Sequence, residues 1–190
     1  MTTFDGNIAL RALEALGSAL AEDHDVPSPR IRIVLAGGVA CMLHNVLPPT
    51  RVTADCDVIQ TNPSESWNRL KERASQVGED LGLPANWLNE DCGRYRCFLP
   101  PGWKDRIQLH ARFGPLDVCL LSRRDLMCLK LSSARNRPQD REDLRGMSPD
   151  EDELTFATQY LTQREGESLN REVLDWERGF LDTLRSRDSE

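Results

Sequence analysis

Asp55 and Asp57 stand two residues apart in the run Arg51-Val-Thr-Ala-Asp-Cys-Asp-Val-Ile59, and Gly37-Gly38 follows the apolar run Ile31-Arg-Ile-Val-Leu-Ala36. Side chains alternate along an extended segment, so carboxylates at i and i+2 share a face. Two like charges that close repel unless a cation or a shared proton intervenes, and a divalent ion with hard oxygen ligands is the simplest remedy. A glycine turn that opens a helix offers backbone N–H groups to an anion. Side by side, the two devices describe a site for a metal-bound nucleoside triphosphate.

Further residues have the right chemistry to join them. Arg51 and Thr53 precede the acids and can hold a phosphate or fix the carboxylates by hydrogen bonds, with a salt bridge from Arg51 to one Asp as the competing arrangement. Lys130, one of three lysines beside 21 arginines, falls in an apolar helical run. As a point charge on a flexible stem it suits a triphosphate, and the alternative is snorkelling to the surface. Asp117, beside Val118 and Leu120, is the candidate third carboxylate, or else an acid at a strand edge near Gly114-Pro115. Asp140 and Asp143, after Arg135, share a helix face at i,i+3 and could serve a metal, a substrate or Arg137 and Arg141. The three histidines are scattered and form no hydrolase triad. The chain has neither a G-x-G-x-x-G fingerprint nor a P-loop.

The elements that must position these groups follow from periodicity. Residues 5–23 carry Ile8, Leu10, Leu13, Leu16 and Leu20 at helical spacing. Pro27 and Pro29 break that run before Ile31 to Leu35, a β-branched segment suited to a buried strand. A short apolar helix is expected from Gly38 to Leu47, ended by Pro48-Pro49, and a second strand over Asp55 to Ile59. Asn62-Pro63-Ser64-Glu65 has the composition of a helix start, and that helix is expected to reach about Gly78. The stretch from Gly82 to Gly102 gives no clear period. Arg106 to Ala111 and Leu116 to Leu121 predict two strands joined at Gly114-Pro115. Ser122 to Asp125 resembles a capping box before a helix through Leu131, and helices are expected near 139–145, after Ser148-Pro149, and over 170–186.

At 190 residues, with 39% apolar side chains, the chain can bury a substantial core. It lacks a run apolar enough to span a bilayer and a leader-like N-terminus, which predicts a cytoplasmic protein without membrane contact. Six cysteines read best as reduced thiols, because most lie in apolar runs. Cys92 and Cys97 have the outer limit of knuckle spacing and no second ligand pair for zinc. The net charge of −7 resides in the last fifty residues, with 14 acidic and 7 basic side chains, while residues 1–140 carry 17 of each. Neither part has the overall basic excess of a nonspecific DNA binder, and Arg123 to Arg141 is the only basic run along the sequence.

The order of strand, Gly-Gly turn, helix and Asp-x-Asp strand resembles the nucleotidyltransferase superfamily, with its DNA polymerase beta-like fold. The string Arg51-Val-Thr53-Ala-Asp55-Cys-Asp57, together with Leu126-Met-Cys-Leu-Lys-Leu131, Arg135 and Pro138 to Leu144, is similar to a minimal bacterial branch related to AbiEii-type toxins of toxin-antitoxin systems. The resemblance covers roughly residues 30–145. It implies an α/β (α+β) mixed sheet flanked by helices, as a domain over 1–146, with an acidic helical extension over 147–190. It also implies transfer of a nucleoside monophosphate from an NTP to an RNA, protein or small-molecule hydroxyl. Asp55 and Asp57 would then hold Mg2+ or Mn2+ as catalytic ligands, with Asp117 and Lys130 as further catalytic candidates. Gly37, Gly38, Arg51, Thr53, Lys130, Arg135, Asp140 and Asp143 would bind nucleotide. A catalytically inactive nucleotide-binding or partner-binding protein of the same fold, including one half of a toxin-antitoxin pair with a cognate antitoxin, is the rival expectation.

Overall fold

The computed structural model describes residues 5–22, 30–48, 50–165 and 170–186. Contacts divide the chain into two compact units, one formed by 1–97 and 103–122 and the other by 98–102 and 123–190.

The first unit is built on a five-stranded mixed sheet of order β3-β2-β1-β5-β4. Its strands are β1 (Ile31–Leu35), β2 (Cys56–Asn62), β3 (Leu88–Asn89), β4 (Gln108–Phe113) and β5 (Leu116–Leu120). The β-branched run of β1 lies at the centre, with Ile31, Ile33, Val34 and Leu35 buried. It pairs antiparallel with β2 and parallel with β5. The expected hairpin across Gly114-Pro115 is the antiparallel pair β4 and β5. β5 is buried along its whole length, as an inner strand covered on both faces must be.

Among the described residues, three α-helices belong to this unit: α1 (Gly6–Ala21), α2 (Gly37–Leu43) and α3 (Trp67–Leu81). Asp5 caps α1 by accepting from the backbone N–H groups of Asn7 and Ile8, each at 2.9 Å. α2 is shorter than the apolar pattern predicts. The chain leaves the helix where the His44 ring meets the Leu121 carbonyl at 2.8 Å and Asn45 turns left-handed, and Val46 and Leu47 are buried outside it. α3 begins after a 3-10 turn at Ser64–Ser66 and runs past Gly78 to a left-handed cap at Gly82. Gly78 serves packing instead: a methyl there would lie 2.9 Å from the Trp87 ring. Trp87 is fully buried and donates through Nε1 to the Ala74 carbonyl at 2.7 Å. The aromatic stretch after Gly82, which has no period of its own, thus closes over α3 and supplies β3.

The second unit contains α4 (Arg123–Ala134), α5 (Pro138–Met147), α6 (Glu151–Glu165) and α7 (Arg171–Arg185). Its core holds the ion pair of Arg164 and Glu177 at 2.9 Å, both nearly inaccessible, with Arg164 lying over the rings of Phe98 and Tyr160. Burial raises the Glu177 carboxyl pKa, opposed by the Arg164 charge. The six cysteines form no disulfide. Among the described residues, no helix is long and apolar enough to cross a membrane.

α1 approaches β4 most closely at Gly17, where an added Cβ would fall 2.4 Å from the Phe113 Cβ and 2.5 Å from its carbonyl oxygen. Backbone cannot yield as a side-chain tip can. Gly17→Ala should therefore lower stability by about 1–3 kcal/mol, as overpacking does. An unchanged urea midpoint in that variant would show that the helix and strand have slack between them.

Candidate functional site

β1 delivers the chain to Ala36 in extended geometry, and Gly37 then turns left-handed at φ 64° to start α2. The Ala36 N–H donates to the Asp57 carbonyl at 2.9 Å, which fastens this corner to the start of β2. A Cβ on Gly37 would sit 2.2 Å from Oδ2 of Asp57. The diglycine corner and the Asp57 carboxylate are thus in direct apposition: the backbone angle favours glycine, and a side chain there would displace the carboxylate. The approach of Gly38 to Thr53 and Arg51 is looser, with a hypothetical Cβ 3.4 and 3.8 Å from them.

Asp55 lies just before β2, not within it as the alternation predicted. Its carboxylate accepts from the Thr53 hydroxyl at 3.4 Å and from the Asn89 amide at 3.3 Å. Asn89 belongs to β3, paired in register with Asp57, and sequence reasoning missed it. A two-residue strand after an aperiodic stretch leaves no hydrophobic signal, so only the tertiary pairing reveals it. Arg51 turns back to the neighbouring Val52 carbonyl.

The electrostatics of the corner register on two thiols. Cys56, buried between the half-exposed aspartates, has its pKa pushed well up by burial, with the charges of Asp57 and Asp55 adding to it. Cys92, in the 3-10 turn Asp91–Phe98, is also raised, first by burial and then by Asp57. Both thiols sense a concentration of negative charge. The oxygen donors of Asp55 and Asp57 fit a hard divalent cation that keeps waters and shares a substrate phosphate. Among the described residues, no group of three or more His, Cys, Asp or Glu side chains has metal-binding proximity.

Asp117 does not join the pair. It lies opposite Arg32, whereas Asp57 lies level with Ala36, an offset of four residues or roughly 13 Å along the strands. Its buried carboxylate is engaged by Arg30 at 2.7 Å, Arg112 at 3.6 Å and Arg32 at 3.8 Å. Asp117 thus sits within an arginine cluster, at a level of the sheet apart from the pair.

In the second unit, three of the expected nucleotide contacts meet one another. The Lys130 ammonium donates to Asp140 at 3.0 Å and Asp143 at 2.7 Å, all three buried. Ser133 donates to Asp140 at 2.8 Å, and Gln139 to Asp143 at 3.2 Å. Asp140 and Asp143 do share a helix face, and that face is turned onto Lys130. The Lys130 ammonium is here a buried charge beside two carboxylates. Arg135 stands 3.6 Å from Glu172.

The model of a family described as a nucleotidyltransferase of unknown function, DUF6036, matches residues 11–148. No curated protein and no solved structure matches the chain.

Two outcomes are expected. Lys130→Met takes the shared ammonium from two buried carboxylates, with Asp140 keeping Ser133 at 2.8 Å and Arg137 at 3.3 Å and Asp143 keeping Gln139 at 3.2 Å, so urea unfolding should report a loss of about 3 kcal/mol. Asp57→Asn removes a charge that raises the Cys92 pKa, so the thiolate fraction rises and alkylation of Cys92 at pH 9 should accelerate several-fold. Peptide mass spectrometry measures that rate, and an unaltered one would mean that the Asp57 charge does not reach Cys92.

Proposed function

The chain belongs to the nucleotidyltransferase family whose model spans residues 11–148, and from that premise we propose that the corner of Gly37, Gly38, Asp55 and Asp57 is its transfer site. The observation that carries this reading is the apposition of the Asp57 carboxylate to the positive-φ Gly37, where no side chain fits. Asp55 and Asp57 would hold Mg2+ or Mn2+, which, when bound, neutralises phosphate charge and favours departure of pyrophosphate. The Thr53 hydroxyl and the Asn89 amide orient Asp55. The Gly37 and Gly38 amides, with Arg51, position phosphate oxygens of the NTP.

In this reaction an acceptor hydroxyl oxygen bonds to the α-phosphorus as the bond from that phosphorus to the pyrophosphate oxygen breaks. Pyrophosphate leaves, and the hydroxyl proton passes to water. Lys130, Asp140 and Asp143 enter the proposal as the lock of the helical unit, and Asp117 stays outside the reaction. Kinship with the AbiEii-type branch, and with it a partner antitoxin, rests on the string from Arg51 to Asp57 and is a finer proposal of the same kind.

A second reading keeps the nucleotide and drops the transfer. It is favoured by the distance of Asp117 from the acid pair, which leaves two carboxylates where the wider superfamily employs three. The two readings separate in one assay: α-labelled NTPs with Mg2+ or Mn2+ and total cellular RNA and protein as acceptors. Transfer predicts label in one fraction and pyrophosphate release, both lost to background in Asp55→Asn and Asp57→Asn while far-UV circular dichroism and the unfolding midpoint hold. Metal-dependent thermal stabilisation by NTP without label supports the second reading, and retained labelling in both variants removes the aspartates from the mechanism.

A further inference from the structure

Asp117 has more arginine around it than its charge requires. Arg32 on β1 and Arg112 on β4 are its register partners on either side, and Arg30 reaches it from the chain just before β1. Arg30 Nη1 donates to Oδ1 at 2.7 Å and also lies 3.4 Å from the Gly114 carbonyl oxygen. Arg112 Nε at 3.6 Å and Arg32 Nη2 at 3.8 Å stand beyond ordinary hydrogen-bond length from the same carboxylate. One carboxylate offers about four lone-pair sites, whereas three guanidinium groups present about fifteen N–H donors. Among the described residues, one charge of the three is balanced. The side chains of Arg30, Arg32 and Arg112 are 54, 54 and 64% exposed, so the surplus faces outward, on a protein whose net charge is −7.

We propose that this arginine row binds the phosphodiester backbone of a single-stranded nucleic acid. The row is open, and Arg32 and Arg112 rise from strands two spacings apart, about 10 Å at the backbone, with their guanidinium groups beside the two oxygens of the same carboxylate at 3.8 and 3.6 Å. An exposed pair with a single small ion gains little in water. A polymer that meets two arginines at once releases counterions from both contacts, and its affinity falls with salt accordingly. Asp117 is the positioning residue. Its buried charge draws three mutually repelling guanidinium groups to one place and leaves two of them the donors to engage neighbouring phosphates. The site lies about four residues along the strands from the proposed transfer corner and does not depend on that corner being active.

The test is fluorescence anisotropy with a 5′-labelled, unstructured 12-nucleotide RNA and its DNA counterpart, titrated with the full chain over a range of salt. R32Q/R112Q retains the Arg30–Asp117 pair and should fold, as checked by its unfolding midpoint. It is expected to weaken binding at least tenfold at moderate salt and to reduce the magnitude of the slope of log K against log salt by about 1.4, two single-strand phosphates at about 0.7 each. R32K/R112K keeps the charge and should recover most of the affinity. D55N/D57N should bind as the unaltered chain does, which separates this proposal from transfer. Equal affinities and slopes for the unaltered chain and R32Q/R112Q, or no oligonucleotide binding at low salt, would overturn it. So would displacement of the oligonucleotide by ATP or inorganic phosphate at matched phosphate concentration and ionic strength, which would mark a site for a single phosphate group.

Discussion

At the corner between β1 and α2 one carboxylate occupies the volume a side chain would fill. Gly37 can adopt φ 64° for lack of a Cβ, and that missing atom is also the space in which Asp57 Oδ2 sits. The backbone bond from Ala36 to Asp57 sets the spacing from the other side. Turn, helix start and acid therefore form one geometric unit, and an anion carrying a divalent ion would meet all of it at once. Around this unit the remaining contacts are adjustable: the bonds to Asp55 from Thr53 and Asn89 are long, and Arg51 folds back on its own segment.

Much of this arrangement was legible because it uses short-range chemistry. The β-branched run of β1, the glycines after it and the Asp-x-Asp spacing each carry a local signature, and the sheet and most helices follow from hydrophobic period. The errors have physical causes. α2 stops at Leu43 because tertiary bonds at His44 and a left-handed Asn45 outweigh an apolar pattern, and Val46 and Leu47 are buried without being helical. Asn89 was invisible because its two-residue strand is defined by a partner thirty residues earlier. For Asp117 the sequence left a third carboxylate and a strand-edge acid both open, and the register sets it at another level of the sheet from Asp57.

Charge in the helical unit obeys a different economy from charge at the corner. Lys130 with Asp140 and Asp143, and Arg164 with Oε2 of Glu177, are buried ion pairs, and Oε1 of Glu177 is buried without a hydrogen-bond partner. Groups matched this closely contribute specificity to helix packing, because any rearrangement would leave an ion in a low-dielectric interior. A lysine in an apolar helix therefore reads equally well as a ligand contact or an internal counterion. Sequence gives the helix face, and only the fold tells what that face meets.

The central strand has a split allegiance in chain order. β1 meets β2 within about thirty residues, but its other edge is completed by β5, parallel and some eighty-five positions later. During synthesis the leading segment can form one half of its ladder, while the opposite edge must wait for a long stretch of polypeptide to emerge. Such remote pairing slows assembly and leaves a hydrophobic strand border transiently uncovered. A nascent chain stalled before residue 116 would thus expose the β1 edge that its later neighbour normally closes.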